Sequence, residues 1–169
     1  MIIGNGVTSI GVFAFNGCTS LKSVVIPDGV TSIGQQAFKV CTGLESVTIP
    51  DSVTSIENGV FWYCINLKEI TIPNSVNSMG TRVFEYCEKL TNVTIPSSVT
   101  KIESQAFLQT AIKNITIPSS VKSIGSTVFF DNPLTSVTFN NPTGWNVCSN
   151  DNFTETNGVR TCTTGNLVE

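Results

Sequence analysis

The chain has 169 residues, of which 40% are hydrophobic and only 12% charged, and it carries a formal net charge of -3. That length is one domain's worth with ample apolar material for a packed core, and the charge content is about half the usual share. A charge-poor, mildly acidic composition argues against nucleic acid or anionic membrane as the partner, because both are held by clustered Lys and Arg, and apolar runs no longer than a strand predict no membrane insertion.

The opening Met1-Ile2-Ile3-Gly4-Asn5-Gly6 lacks the basic and long apolar segments of a secretion signal. Ile3 aligns with Ile26 and Gly6 with Gly29, so the chain is expected to begin on the last strand of a preceding unit, with no N-terminal cap. Either further repeats precede it or another copy covers this end, since open sheet edges and core ends aggregate unless managed.

From there a repeat runs through most of the sequence. Aligned on Val7, Val30, Val53, Val76, Val99 and Val121, the units are spaced by 23, 23, 23, 23 and 22 residues. They follow the pattern V-x-x-I-G-x-x-A/V-F-x-x-C-x-x-L-x-x-V-T-I-P-x-S. Phe15, Phe38, Phe61, Phe84, Phe107 and Phe129 mark one inward position. A fixed period of this size means a solenoid, whose units bury their apolar faces only against their neighbours. The residue lost between Phe107 and Ile112 marks that segment as a loop.

Two stretches per unit read as extended. Leu44-Glu45-Ser46-Val47-Thr48-Ile49 and its equivalents end in apolar/polar alternation, and Pro27, Pro50, Pro73, Pro96 and Pro118 then end the pairing. A shorter Val-x-x-Ile stretch, such as Val53-Thr54-Ser55-Ile56, leads into a tight turn, expected to include about one helical turn through the Ala/Val-Phe pair. Parallel strands about 4.8 Å apart make six rungs a slab on the order of 30 Å long.

The repeated Ile-Pro-x-Ser-Val-Thr-Ser-Ile, as in Ile49 to Ile56, joined to Ala37-Phe38-x-x-Cys41-x-x-Leu44, resembles the leucine-rich repeat of the BspA-like class. The resemblance covers residues 1–140. It implies a mostly β, right-handed leucine-rich repeat solenoid with a concave parallel sheet and short convex strands and turns. It also implies a secreted or cell-surface protein that serves adhesion or protein recognition, with no cofactor. Residues 141–169 are then a C-terminal cap or tail.

Cys18, Cys41, Cys64 and Cys87 share one repeat position and stack in a line, which cannot supply a tetrahedral metal shell; they read as small buried hydrophobes. Cys148 and Cys162 lie past the last rung, where a bridge between them would staple a cap in an oxidising compartment, and Trp145 would plug the core.

Catalysis finds no support: the chain has no His, and no nucleophile elbow or phosphate loop. Glu85, Glu88 and Lys89 read as an ordinary solvated cluster. Candidate binding residues fall on two surfaces. The outward strand face carries Val25, Thr48, Thr71, Thr94, Thr116 and Thr138 in one column, beside Ser23, Ser46, Glu69, Asn92, Asn114 and Ser136. Thr pairs are good sheet formers in their own right, yet Glu69, Thr71, Asn92, Thr94, Asn114 and Thr116 form a flat polar array suited to a glycan or an extended peptide. The variable loop after each Phe carries Trp62, Tyr63 and Tyr86 on adjacent rungs, residues of the type enriched at binding hot spots. The expected function is therefore a non-catalytic interaction or adhesion module for a protein or glycan, the alternative a structural spacer or a self-associating solenoid within a larger surface protein, with self-association through its open N-terminal end.

Overall fold

A unit that alternates an inward Val or Ile with an outward polar residue can bury its apolar set only by laying the next unit on top of it. In the computed structural model the chain does this as a parallel β-solenoid. The structure describes residues 1–140, and the backbone alone of 146–147, 153–156 and 159–162. Among the described residues there is no helix.

Each rung contributes a longer and a shorter strand. The longer strands Ser23–Val25, Ser46–Thr48, Glu69–Thr71 and Asn92–Thr94 pair in parallel, with Ser46 opposite Glu69 and Glu69 opposite Asn92. Ile2 extends this stack through a parallel bridge to Val25, as the alignment of the first residues predicts. The short strands, from Ser9–Ile10 to Ser123–Ile124, form one continuous parallel sheet that takes Asn146–Val147 as its last member. Phe153–Thr156 and Val159–Cys162 form an antiparallel hairpin. The expected Cys148–Cys162 bridge and the Trp145 plug lie outside the described residues.

The longer strands do not run on without interruption. Asn114–Ile117 and Ser136–Phe139 form a separate pair. The cause is the shortened unit. Glu45 N donates to Lys22 O and Lys68 N to Glu45 O, each across a full repeat, whereas Ala111 N donates to Leu90 O, a shorter step. One lost residue shifts the pairing at that rung and splits the strand ladder there.

The expected helical turn around each Phe is absent, for a backbone reason. Two positions per rung take left-handed φ: Phe13, Gln36, Gly59, Arg82, Gln105 and Thr127 at the first, and Gly17, Val40, Tyr63, Tyr86, Gln109 and Asp131 at the second, all between 51° and 74°. A right-handed helix cannot pass through such residues. The segment instead becomes a run of tight turns whose alternate N–H groups point at the next rung. Gly59, Phe61 and Tyr63 donate to the carbonyls of Thr81, Val83 and Glu85 at 2.8, 3.0 and 2.9 Å. These bonds make a third ladder beside the two sheets, and it fixes the loop residues of successive rungs in register.

The core is a stack of parallel rings. From Phe15 to Phe129 the ring centroids are 5.1 to 5.7 Å apart and tilted by no more than 14°. Phe38, Phe61, Phe84 and Phe107 are fully buried. The repeated cysteine does more than fill space. The thiols of Cys41, Cys64 and Cys87 donate to the carbonyls of Phe15, Phe38 and Phe61 at 3.1, 3.2 and 3.3 Å. Where the short loop replaces the thiol, Asn132 Nδ2 makes the same bond to Phe107 O at 3.0 Å. Burial pushes the Cys41 thiol up to about 11 and that of Cys64 well above its ordinary range, so both stay protonated and inert. The serine two residues after Pro50, Pro73 and Pro96 also bonds across rungs: Ser52 and Ser75 donate to the carbonyls of Val30 and Val53 at 2.6 and 2.7 Å, and Ser98 to that of Val76.

Candidate functional site

The strand-face candidates lie where the alternation puts them. Glu69, Thr71, Asn92, Thr94, Asn114 and Thr116 are all exposed, while their neighbours Ile70 and Ile115 are buried. Glu69 stands opposite Asn92 and Thr71 opposite Thr94. Asn114 and Thr116 face Ser136 and Thr138 instead. The array is thus two short fields on either side of the shortened rung, not one uniform sheet.

The aromatic loop candidates divide as well. Tyr63 and Tyr86 occupy the second left-handed position of adjacent rungs, and Tyr63 N is bonded to the residue just before Tyr86. Their rings consequently meet, with centroids 4.9 Å apart and planes 37° apart, and Tyr63 remains 42% exposed. Trp62 belongs to a different cluster. Its ring lies under Lys39 Nζ, 3.9 Å from the centroid, with the Arg82 guanidinium carbon at 5.5 Å. Such cation–π contacts hold the indole half-buried against the turn ladder. Its Nε1 is buried and bonds to nothing among the described residues.

Trp62 also lines a groove of about 280 Å³ with Gln35, Gln36, Asn58, Gly59, Thr81, Arg82 and Gln105. Neither tyrosine takes part in it. Several of these residues occupy the first left-handed position, where Gly59 is the one member without a side chain. Arg82 is held in place from two directions: its Nε donates to Gln105 Oε1 at 2.9 Å and lies 3.4 Å from Glu85 Oε2. Asn58 Oδ1 accepts from Thr81 N at 2.8 Å.

Glu85 corrects the expectation of a solvated acidic cluster. It is only 6% exposed, and Lys89 does not reach it but donates to Asn66 Oδ1 at 2.7 Å. Burial raises the Glu85 carboxyl above its ordinary range, and the nearby Arg82 opposes that rise. Glu85 follows its Phe by one residue, as Lys39, Trp62 and Leu108 do, and the inward lean of this column could not be read from loop variability. Gly59 and Arg82 were missed for a related reason. Their signal was a break in a repeat column: a glycine and a cation stand where the neighbouring rungs have Gln36 and Gln105.

Comparison with known proteins fits this geometry. The BspA type leucine rich repeat region, in 6 copies, matches residues 1–110 and 83–167. The chain belongs to the BspA-type leucine-rich repeat family. Among solved structures it is similar to a leucine rich cell surface protein from Faecalibacterium prausnitzii, at 38% identity over 94% of this chain and 41% of that one, with a TM-score of 0.79. It is also similar to a leucine-rich repeat protein from Bacteroides ovatus, at 32% identity over 86% of this chain and 44% of that one, with a TM-score of 0.73. A leucine-rich repeat protein of T. pallidum shares 30% identity over 82% of this chain and 72% of its own, with a TM-score of 0.72. The BspA-type repeat chain spans less than half the length of the first two. No functionally curated protein matches it.

Proposed function

We propose that this BspA-type repeat is a non-catalytic interaction module of a cell-surface or secreted protein, which engages a protein or glycan through its outward strand face and the Tyr63–Tyr86 pair. The observation that carries the proposal is the combination of flat, exposed, nearly uncharged columns with a tyrosine pair in ring contact, of which Tyr63 stays open to solvent. Rigid aromatics with a polar tip lose little conformational entropy on binding and are the usual anchors of an interface. The surface location is supported by the description of the Faecalibacterium relative as a cell surface protein.

The test is a solid-phase screen against immobilised matrix proteins and glycans, repeated with the double variant Tyr63→Ala/Tyr86→Ala and with Thr71→Arg. A ligand whose binding drops at least tenfold in either variant supports the proposal. A ligand that binds both variants like the parent removes these surfaces from consideration. The self-associating alternative rests on Val12 and Phe13, exposed at 59% and 49% on the first full rung. It predicts concentration-dependent association, and a strict monomer by light scattering ends it.

A further inference from the structure

We infer that the groove over Gly59 is a binding site for one carboxylated sugar unit of a glycan, with Trp62 and Arg82 as its specific elements. The inference rests on the chain being a binding module, but it uses a surface separate from the Tyr63–Tyr86 pair.

The groove arises from a single gap in a stacked column. At the first left-handed position a side chain stands on the rungs before and after, at Gln36 and Arg82, and again at Gln105; Gly59 interrupts them. A Cβ placed on Gly59 would touch Gln36 Cγ at 3.2 Å and Trp62 Cβ and Cε3 at 3.6 and 3.7 Å. The gap is therefore walled by an amide side chain and an indole, and any side chain at that position would fill it. Glycine is not required there by backbone conformation, because Gln36 and Gln105 hold φ of 55° and 61° beside the 61° of Gly59.

The chemistry of the lining selects the ligand. Amide side chains offer donors and acceptors together, the pairing that sugar hydroxyls need. Gln35 and Gln36 have no side-chain hydrogen bond among the described residues, so their amides are available to the groove. Arg82 supplies a guanidinium already oriented by Gln105 and Glu85, the group best matched to a carboxylate. Lys39, poised on the Trp62 ring, adds a second cation nearby. At about 280 Å³ the space lies just below the range for small-molecule sites, roughly 300 to 1,000 Å³, and suits one monosaccharide rather than a longer segment.

The experiment titrates the chain by isothermal calorimetry with three probes: tetragalacturonate, its methyl ester, and tetraglutamate. Tetragalacturonate is expected to bind, and the other two at least tenfold more weakly. Gly59→Gln, which restores the residue of the neighbouring rungs at a φ those rungs already tolerate, is expected to abolish binding while leaving the thermal transition cooperative. Arg82→Gln is expected to weaken binding at least tenfold. Asp51→Asn, at an exposed residue that does not line the groove, is expected to leave tetragalacturonate binding unchanged; the tyrosine surface is read separately in the solid-phase screen, so failure of this site and failure of that surface are distinguished. No binding of tetragalacturonate by the parent chain, or undiminished binding by a folded Gly59→Gln variant, would overturn the proposal. Equal binding of the methyl ester would overturn the role given to Arg82, and equal binding of tetraglutamate the choice of a sugar.

Discussion

Phe84→Ala tests the stacked core most directly. Phe84 is fully buried and sits between Phe61, 5.6 Å away and inclined by 3°, and Phe107, 5.5 Å away and inclined by 14°. Truncation removes the transfer free energy of a buried ring, leaves a cavity that rigid rungs above and below cannot close, and breaks two aromatic contacts. Buried Phe→Ala changes cost about 3 to 5 kcal/mol, and two lost stacking contacts put this one at the upper end, about 5 kcal/mol. Phe15→Ala is the matched control: that ring is only half-buried and has one stacked neighbour, Phe38 at 5.1 Å, so about half the loss is expected. Thr71→Ala, on the exposed side of its strand, should cost less than about 1 kcal/mol. Urea unfolding followed by circular dichroism measures all three. Equal losses for Phe84→Ala and Phe15→Ala would refute the two-neighbour argument, and equal losses for Phe84→Ala and Thr71→Ala would refute the inward and outward assignment itself.

Further expectations follow from single side chains. Because the folded state raises the Glu85 carboxyl, it binds a proton more readily than the unfolded chain does, and this group's contribution to stability is lost as pH rises from the ordinary carboxylate range through the raised value. Glu85→Gln should therefore raise the unfolding midpoint at pH 7 and leave it nearly unchanged at pH 4; a variant equally destabilised at both would contradict this. Iodoacetamide at pH 8 should modify the exposed Cys18 in the native chain and spare the buried Cys64 and Cys87, as read by peptide mass mapping, and equal labelling would mean the rungs open far more readily than their packing implies. Val40 holds a β-branched side chain at φ 57°, a conformation that costs a non-glycine residue about 1 to 2 kcal/mol, so Val40→Gly should stabilise by about 0.5 kcal/mol after the entropy of glycine is set against it. A Cβ on Gly80 would come within 2.6 Å of the Asn58 backbone nitrogen, so Gly80→Ala should destabilise by about 2 kcal/mol, and a neutral result would show that the rungs can separate locally.

The fold was legible because solenoid geometry repeats its instructions. The Phe positions, the outward Thr column and the proline that ends each strand all follow from side-chain alternation and from the proline's missing donor, and all lie where the repeat puts them. What escaped was carried by backbone sign and by bonds between rungs. Left-handed φ at Gln36, Val40 or Tyr63 has no residue-type signature, since glycine fills those positions only at Gly17 and Gly59. The serine at positions 52, 75 and 98 is visible as a repeated letter, but its bond to the valine carbonyl of the rung before is not. The cysteine column was read as apolar filler, and Asn132 reveals its second role: an amide that makes the same bond to a Phe carbonyl shows that the position supplies a donor as well as volume.

The same geometry explains why the groove proposed above lies at a departure from the repeat. Rungs a strand spacing apart bring equivalent residues into contact, so a column of identical side chains satisfies itself: Phe on Phe, Thr beside Thr. The column that follows each Phe cannot do so, because Lys39, Trp62, Glu85 and Leu108 differ in charge, size and hydrogen bonding on every step. Its members therefore draw on a neighbouring column as well: Lys39 lies on Trp62 along the column, while Arg82, which bonds Gln105 within its own column, reaches sideways to Trp62 and Glu85. With Gly59 withholding a side chain beside them, those lateral contacts enclose a space instead of filling it. Arg82 and Trp62 thereby line an open groove instead of packing beneath a side chain at position 59.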